Sequence, residues 1–349
     1  PGPAGPLGAA NGAAAAEPRA AGAVWQPASG FKVSVICPTT GSRRCFHPFL
    51  WMCFSIQTYE PRELVIVDTC EEDPSEFWAQ KMREDRRVVY QHHRVPERAW
   101  SIGAKRNLAC HLASGQVIAH FDDDDMYGTS YLATMMKYLL NPMEAFAFAL
   151  PSLGTNGLWL KMLAAMGIQP EGVHGKEVLE QHLWYVRQKW CLPGCGAVCA
   201  KLSCWHEFTL RNRTWDLRDA SEEEGPEHRD LYGWGFSYVY LRAVWEVRPF
   251  RDMGLGEDYD FVQRLRELGL PVLLVHDRLG LCAHTNHAAN TTGGDAASDR
   301  CCGSSSFNYT PVASLVGLYE AAAKGILEQQ EREKQGRGGQ KQAPAEKKK

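Results

Sequence analysis

Hydrophobic and polar residues follow one another along the chain in blocks that predict strands and helices in turn. Four nearly continuous apolar runs predict buried strands at 32 to 38, 63 to 69, 87 to 93 and 116 to 122. The segments between them predict helices at 48 to 57, 74 to 84 and 101 to 113. This alternation is typical of an α/β protein with a mostly parallel sheet. Because such sheets bind ligands outside the carboxyl ends of their strands, we expect a binding crevice there.

The second half of the chain has a less regular pattern. Its predicted elements are a helix at 176 to 190, a strand at 195 to 205, a mobile polar loop at 211 to 230, a strand and short helix at 232 to 247, and a loop, helix and strand at 254 to 277. Phe261, Leu265 and Leu268 form the apolar stripe of the last helix, and Gly269 ends it.

Both ends of the chain lack hydrophobic periodicity. Residues 1–29 are rich in Ala, Pro and Gly and predict a disordered leader, and residues 329–349 are polar and predict a disordered basic tail. The folded domain is therefore expected at 30–328. The chain starts at Pro1 rather than at methionine, as a fragment or a processed product would.

Composition and charge narrow the class of protein. With 44% hydrophobic and 23% charged residues, the chain resembles ordinary globular proteins. The formal net charge of -3 gives no electrostatic indication of nucleic acid or of an anionic membrane surface as a partner. No apolar run approaches the roughly 18 residues of a membrane span. Partners must therefore be inferred from individual sites.

The most distinctive motif is a run of aspartates, Asp122 to Asp125, at the end of the fourth predicted strand. Adjacent carboxylates about 4 Å apart repel one another by roughly 1 kcal/mol in water, so a positive partner is expected. In an extended or turning segment Asp122 and Asp124 project to one side and could share a Mg²⁺ or Mn²⁺ ion. A solvated acidic loop or a helix N-cap would use the same residues, and the run alone favours neither interpretation.

Two other motifs carry candidate chemistry. Asp258 lies on the first turn of the helix predicted after 254, where the helix dipole favours an ionised carboxylate that could act as a base. Taken alone, helix capping explains this position more simply. His284 and His287 follow the last predicted strand and could complete a metal site, although a histidine in a loop is more often only exposed.

The order of these motifs resembles the family 2 glycosyltransferases with the GT-A fold, over about residues 32 to 292. The matching stretches are "VSVICPTTGSR", "FSIQTYEPRELVIVD", "SIGAKRNLACHLASGQVIAHFDDDD", "GLGEDYDFVQRLRELG" and "HAANT". The resemblance implies a Rossmann-like GT-A fold, in which a mixed, mostly parallel sheet is flanked by helices and joined by a smaller irregular acceptor-side region. It divides the domain into a nucleotide-sugar-binding half at 30–150 and an acceptor-binding half at 151–328.

The resemblance also implies roles for individual residues. Those that it places at the nucleotide sugar are Pro38, Thr39, Asp68, Arg106 and Asp123. Asp122 and Asp124 match the DXD pair, which binds Mn²⁺ or Mg²⁺ at the donor's diphosphate. His287 matches a further metal or phosphate contact, with His284 as its alternative, and Asp258 matches the catalytic base.

The function that the resemblance implies is a metal-dependent, inverting glycosyltransferase with a nucleotide-diphosphate sugar, UDP-linked, as donor. The acceptor is an unknown carbohydrate, protein or lipid. The Q-x-x-R-W signature of polymer synthases is absent from its usual place, so we expect a non-processive enzyme. Thr69 and Cys70 stand where many family members carry a second acid, which bears on ribose recognition. The alternatives are a metal-dependent nucleotidyltransferase or phosphatase, and a catalytically decayed carbohydrate-binding protein.

Overall fold

A computed structural model describes residues 30–140, 197–220, 229–268, 270, 272–287, 290 and 312–339. The predicted leader and the predicted helix at 176 to 190 lie outside these residues, as does most of the range 151–228.

The elements of the first half begin and end within a few residues of the predicted ones. They are β1 (Val33–Thr40), α1 (His47–Ser55), β2 (Arg62–Thr69), α2 (Glu76–Glu84), β3 (Val88–His93), α3 (Ile102–Leu112) and β4 (Val117–His120). Every residue of β2 is buried, so both faces of the sheet are covered there. The Ser101 side chain accepts the Ala104 N–H at 3.0 Å and caps α3, as its sequence position predicts.

The remaining described elements complete the sheet and its helical cover. They are β5 (Met126–Tyr127), α4 (Tyr131–Leu140), β6 (Cys199–Thr209), β7 (Thr214–Asp219), α5 (Arg229–Tyr232), β8 (Val239–Leu241), α6 (Arg242–Val247), α7 (Glu257–Glu267), β9 (Val272–His276), β10 (Cys282–Asn286) and α8 (Val316–Gly339). Three 3-10 turns accompany them, at Gly41–Phe46, Gly235–Ser237 and Ala313–Leu315.

The described strands form one sheet with a main order of β3-β2-β1-β4-β8-β6-β10-β5, and β7 and β9 also pair with β6. Strands β3, β2, β1 and β4 are parallel neighbours, whereas β8 runs antiparallel between β4 and β6. The predicted mixed, mostly parallel sheet flanked by helices is thus confirmed. The carboxyl ends of β1 and β4 lie side by side, which places Thr39 next to the aspartate run.

Two polar segments contain regular structure that the sequence pattern did not predict. The range 211 to 230 is not simply a mobile loop, because β7 pairs with β6 along its whole length. The final helix continues to Gly339, into the range predicted as a disordered tail. Its Gln, Glu, Lys and Arg residues have high helix propensity, so low sequence complexity does not prevent a helix there. Within the described ranges, no helix is both long enough and apolar enough to cross a membrane.

Candidate active site

A cavity of about 920 Å³ opens at the carboxyl ends of β1 and β4. The residues that line it and concern the chemistry are Pro38, Thr39, Arg43, Lys105, Arg106, Asp122, Asp123, Asp124, Trp234, Gly235, Glu257, Asp258 and His284. Most of the sequence-predicted site residues therefore share one cavity. The exceptions are Asp68 and His287, which are buried and do not line it.

The aspartate run forms a turn rather than an extended segment, because the Asp125 N–H bonds to the Asp122 carbonyl at 3.3 Å. The side chains do not alternate as predicted, because neighbouring Asp123 and Asp124 contact the same arginine and Asp122 contacts another. Asp123 and Asp124 both contact the guanidinium of Arg43, on the 3-10 turn after β1. Asp122, whose side chain is 32% exposed, instead faces Arg106.

Asp124 is held by an arginine and a histidine. Its Oδ2 contacts both Arg43 Nη1 and His287 Nε2, the latter at 2.8 Å. Burial alone raises the pKa of the Asp124 carboxyl, but Arg43 and His287 lower it well below its usual range. The positive partner that the sequence requires is thus Arg43. Nothing in the local sequence distinguishes it from its neighbour Arg44.

Asp125 attaches the turn to β10. Its Oδ1 accepts the Thr285 N–H at 2.8 Å and lies 3.0 Å from His284 Nδ1. The Thr285 hydroxyl donates to the Asp124 carbonyl at 2.7 Å. Burial alone would lower the pKa of His284, but contact with Asp125 raises it to about 9. His284 therefore holds the turn through Asp125, while His287 is the histidine that reaches the predicted metal ligand Asp124.

A buried network of polar contacts holds Thr39 and Asp123 in place. The Thr39 hydroxyl donates to Asp123 Oδ2 at 2.6 Å and lies 3.4 Å from His47 Nε2. His47 Nδ1 lies 3.0 Å from the Ser75 hydroxyl. Burial lowers the pKa of His47 to about 3, so the ring is neutral. These contacts fix Thr39 and Asp123 relative to each other, and no local feature of the sequence indicates the part that His47 plays.

Asp68 continues the same network at the end of β2. Its Oδ2 accepts the Tyr90 hydroxyl at 2.8 Å, and that hydroxyl accepts the Ser75 N–H at 2.8 Å. The other oxygen, Oδ1, is buried and has no hydrogen-bond partner within the part of the chain that the structure describes. A buried acceptor without a donor requires an explanation, and a donor group on a bound ligand would provide one.

Asp258 is held in place by two backbone donors at the start of α7. Its Oδ2 accepts the Gly235 N–H at 2.6 Å and its Oδ1 accepts the Tyr259 N–H at 2.7 Å. Gly235 must lack a side chain, because a Cβ there would lie 2.8 Å from the Asp258 Cβ. Gly256, directly before the helix, has a φ of +78°, which favours glycine.

Arg106 joins the two acidic parts of the cavity. Its side chain is buried, its Nη1 contacts Glu257 Oε1, and its Nη2 lies 3.6 Å from Asp122 Oδ1. The resemblance places this arginine at the nucleotide, whereas here it is paired with two protein carboxylates. By pairing with the neighbour of Asp258, it fixes the position of α7 relative to the aspartate turn.

Two further residues line the cavity, a lysine and a tryptophan. Lys105 is buried, and its Nζ lies 3.5 Å from the Thr39 carbonyl, so a second cation besides Arg43 faces the strand ends. Trp234 has a φ of 62°, which is rare for a bulky residue, and its ring meets His284 edge to face at 5.1 Å. Phe236 and Tyr238 are buried, which is typical of core residues.

The cavity wall offers oxygen donors of the kind that a hard divalent cation binds, whereas the cluster of ligand atoms lying within 4.8 Å of one another in the described part of the chain is elsewhere, at Cys204, Asp219 and His276. Asp122 and Asp124 offer carboxylate oxygens on the cavity wall, and His287 lies in contact with Asp124. Carboxylate and imidazole donors suit Mn²⁺, and Mg²⁺ uses one or two carboxylates with phosphate oxygens as further ligands.

A comparison of the sequence with protein families finds a match over part of the chain. Residues 34–185 match the sequence model of Glycosyl transferase family 2. A search of curated proteins found none that matches this chain.

Solved structures similar to this chain include proteins from three organisms. TarS of S. aureus (residues 1-349, with UDP) is 16% identical, with 74% of this chain and 61% of that chain covered and a TM-score of 0.45. The mannosyltransferase PcManGT from Pyrobaculum calidifontis, with GDP-Man and Mn²⁺, is 13% identical, with 77% and 60% covered and a TM-score of 0.44. Glucosyl-3-phosphoglycerate synthase from Mycobacterium tuberculosis, with Mn²⁺, UDP and phosphoglyceric acid, is 14% identical, with 74% and 72% covered and a TM-score of 0.40.

This chain spans 61% and 60% of the length of the first two. The family match covers β1 to β4 and the aspartate run, the part of the chain in which the predicted strands and motifs agree with the structure. Over residues 34–185, which include the aspartate run, this chain is thus similar to glycosyltransferase family 2.

Proposed function

We propose that this protein is a metal-dependent, inverting, non-processive glycosyltransferase that moves a sugar from a UDP-linked donor to an acceptor hydroxyl. The observation that supports this most strongly is that Asp258 and the aspartate turn line one cavity at the carboxyl ends of β1 and β4. UDP is proposed because it is the commonest donor nucleotide of the family.

The donor nucleotide would lie against the ends of β1 and β2. Pro38 and Thr39 form that part of the cavity wall, and Asp68, buried at the end of β2, is the acceptor proposed for an N–H or hydroxyl of the nucleotide. Lys105 would face the phosphates. Asp122, Asp124 and His287 would hold a divalent cation, which when bound stabilises the charge of the leaving diphosphate.

Asp258 would act as the general base. It takes the proton of the acceptor hydroxyl as that oxygen forms a bond to the anomeric carbon, and the bond from that carbon to the phosphate oxygen breaks with its electron pair going to the diphosphate. Attack from the face opposite the leaving group inverts the anomeric centre. The N–H groups of Gly235 and Tyr259 hold the carboxylate in orientation while leaving lone pairs on both oxygens for the proton.

The first test is a thermal-shift panel of nucleotide sugars with and without Mn²⁺. A shift that requires both a UDP-sugar and Mn²⁺ is expected, and it would identify the donor. With that donor, the product assay separates the alternatives, since release of pyrophosphate or free phosphate in place of UDP would indicate a nucleotidyltransferase or a phosphatase. Absence of both transfer and donor hydrolysis would indicate a decayed binding protein.

The second test is Asp258→Asn, which should lower turnover by about 10² to 10⁴ and leave donor binding near normal. Asp260→Asn is the matched control, because Asp260 lies on the same helix but pairs with Arg251 and Arg264 instead of facing the cavity. If Asp258→Asn keeps the activity of Asp260→Asn with a verified sugar pair, Asp258 is not the base.

A further inference from the structure

Trp234 is a large aromatic residue in a strained backbone conformation at the cavity wall. Its φ of 62° and ψ of 63° lie in the left-handed region, which is unfavourable for a residue with a bulky side chain. Strained residues of this kind concentrate at sites that bind ligands. The next residue, Gly235, donates its N–H to Asp258 Oδ2 at 2.6 Å. Trp234 therefore lies directly beside the proposed base.

A half-buried arginine on β7 holds the Trp234 ring. The guanidinium carbon of Arg218 lies 4.6 Å from the ring centroid, at the distance of a cation–π contact. Arg218 Nη2 pairs with Asp230 Oδ2 at 2.7 Å, and its Nη1 lies 3.4 Å from Glu207 Oε1. The arginine is thus fixed by two carboxylates and in turn orients the indole. A ring that is already held in place loses little conformational freedom when a ligand packs on it.

Apolar and acidic side chains lie together in this part of the cavity. Trp234 is half-buried and lines the cavity, and so does Leu255, which is 68% exposed and lies three residues before Asp258. The carboxylates of Asp252, Glu257 and Asp258 line the same cavity. Large apolar side chains exposed in a cavity indicate a surface that a ligand covers. The ligand must therefore offer both apolar surface and hydrogen-bond donors.

A neutral pyranose sugar has this combination of groups. It carries C–H groups on its faces and hydroxyls around its rim, so it can pack on an indole while its hydroxyls donate to carboxylates. A lipid chain would need a continuous apolar surface, which the three carboxylates interrupt. The hydroxyl of a serine or threonine side chain has no apolar face of comparable size, and an acidic acceptor would be repelled by the carboxylates.

We propose that Trp234 and Leu255 form the binding site for a neutral sugar acceptor, whose C–H face packs against the indole so that one of its hydroxyls lies at Asp258. This inference rests on the proposed function. It narrows the acceptor from a carbohydrate, protein or lipid to a carbohydrate, and it makes Trp234 a residue that determines acceptor specificity.

The test measures binding of methyl glycopyranosides to the full chain by ligand-observed NMR titration, with and without UDP. The probes are the methyl pyranosides of glucose, galactose, mannose and N-acetylglucosamine, with sorbitol as an open-chain polyol and pentanol as an apolar alcohol. Wild type should bind at least one glycoside more tightly than sorbitol or pentanol. Trp234→Ala should weaken that binding by about tenfold or more, and Trp234→Phe by roughly threefold, because a smaller ring keeps part of the apolar surface.

Two further variants and a control show where the sugar binds. Leu255→Ser should weaken binding of the same glycoside by about threefold, because it removes apolar surface from the wall. Trp51→Ala is the matched control, because Trp51 is also half-buried but packs beside Phe54 and Lys81 and does not line the cavity. It should bind the glycoside as wild type does.

Trp234→Gly separates the contribution of the indole from that of the strained backbone. Glycine adopts a positive φ without strain, so this variant should melt at a higher temperature than Trp234→Ala. Both variants lack the ring and should lose the glycoside to the same extent. If Trp234→Gly binds it as tightly as wild type, the indole does not form the site and the proposal is refuted. If Trp234→Ala does not fold, Trp234→Gly and Trp234→Phe provide the same comparison.

The remaining outcomes separate this inference from the proposed function. If no glycoside binds to wild type, or if pentanol binds more tightly than every glycoside, the sugar site is refuted, and release of UDP from a UDP-sugar still tests the function. If a glycoside binds through Trp234 but wild type releases no UDP from any UDP-sugar in its presence, the sugar site stands and the transferase function is refuted. Transfer to a glycoside whose affinity is unchanged in Trp234→Ala would refute the role of Trp234 alone.

Discussion

Replacing Gly235 by alanine is expected to lower both turnover and the free energy of unfolding without removing any functional group from the cavity. The added Cβ would lie 2.8 Å from the Asp258 Cβ and 2.9 Å from Arg106 Nη1. The first of these neighbours is next to the backbone of α7 and cannot rotate away. Restoring an ordinary contact of 3.4 Å from 2.8 Å moves Asp258 by roughly 0.6 Å.

That displacement has two measurable consequences. Overpacking a tight site costs about 1–3 kcal/mol of the free energy of unfolding. Because a misplacement of about 1 Å at a reacting group costs on the order of 10²-fold in rate, a shift of this size should lower turnover by about tenfold or more. Donor affinity should change little, because the ends of β1 and β2 are not displaced.

The assay compares kcat for release of UDP from the identified donor with the free energy of unfolding in urea. Gly254→Ala is the control, because Gly254 also lines the cavity but a Cβ there meets nothing within 4 Å. Wild-type kcat in Gly235→Ala would show that the close approach of Gly235 does not position Asp258. An equal loss of kcat in Gly254→Ala would show that turnover is sensitive to an added methyl group anywhere on the cavity wall.

Two other predictions concern charges. Lys105→Met should weaken UDP binding by about tenfold, because it removes a cation from the proposed phosphate side, and leave uridine binding unchanged; equal losses for both ligands in calorimetry would contradict this. Burial raises the pKa of Glu63, but hydrogen bonds from Lys32 and Ser34 lower it below its usual 4.5, so the stability that it contributes is present above pH 4.5 and lost below. Glu63→Gln should therefore make the acid loss of stability shallower in urea titrations from pH 7 to 3.5, and an unchanged slope would refute the assignment.

The strands that the sequence predicts correctly are those with a strong local signal. The runs that became β1, β2 and β4 are almost wholly apolar because both faces of the sheet are covered there. β7 has the opposite character, since its residues are polar and half-exposed along an outer position beside β6, and it resembles a loop in the sequence. The strand β10 was missed for a related reason, because only five residues follow a turn and one of them is His284.

The residues of the candidate site also divide into those that the sequence predicts and those that it does not. The acidic residues could be found from the sequence because four adjacent aspartates and a Glu-Asp pair at a helix start are unusual. Their partners could not, because Arg43, His47 and Lys105 meet them only through the folded chain and have no distinctive neighbours in the sequence. The repulsion among the aspartates indicated that a cation was needed but could not say which one.

The attachment of the aspartate turn to β10 has a consequence for biosynthesis. Asp125 receives its hydrogen bonds from Thr285 and His284, about 160 positions later in the chain. Contacts of such long range form late, and a ribosome releases the chain from its N-terminus. A nascent chain that has completed β4 therefore carries Asp125 at a strand end without these partners until β10 emerges.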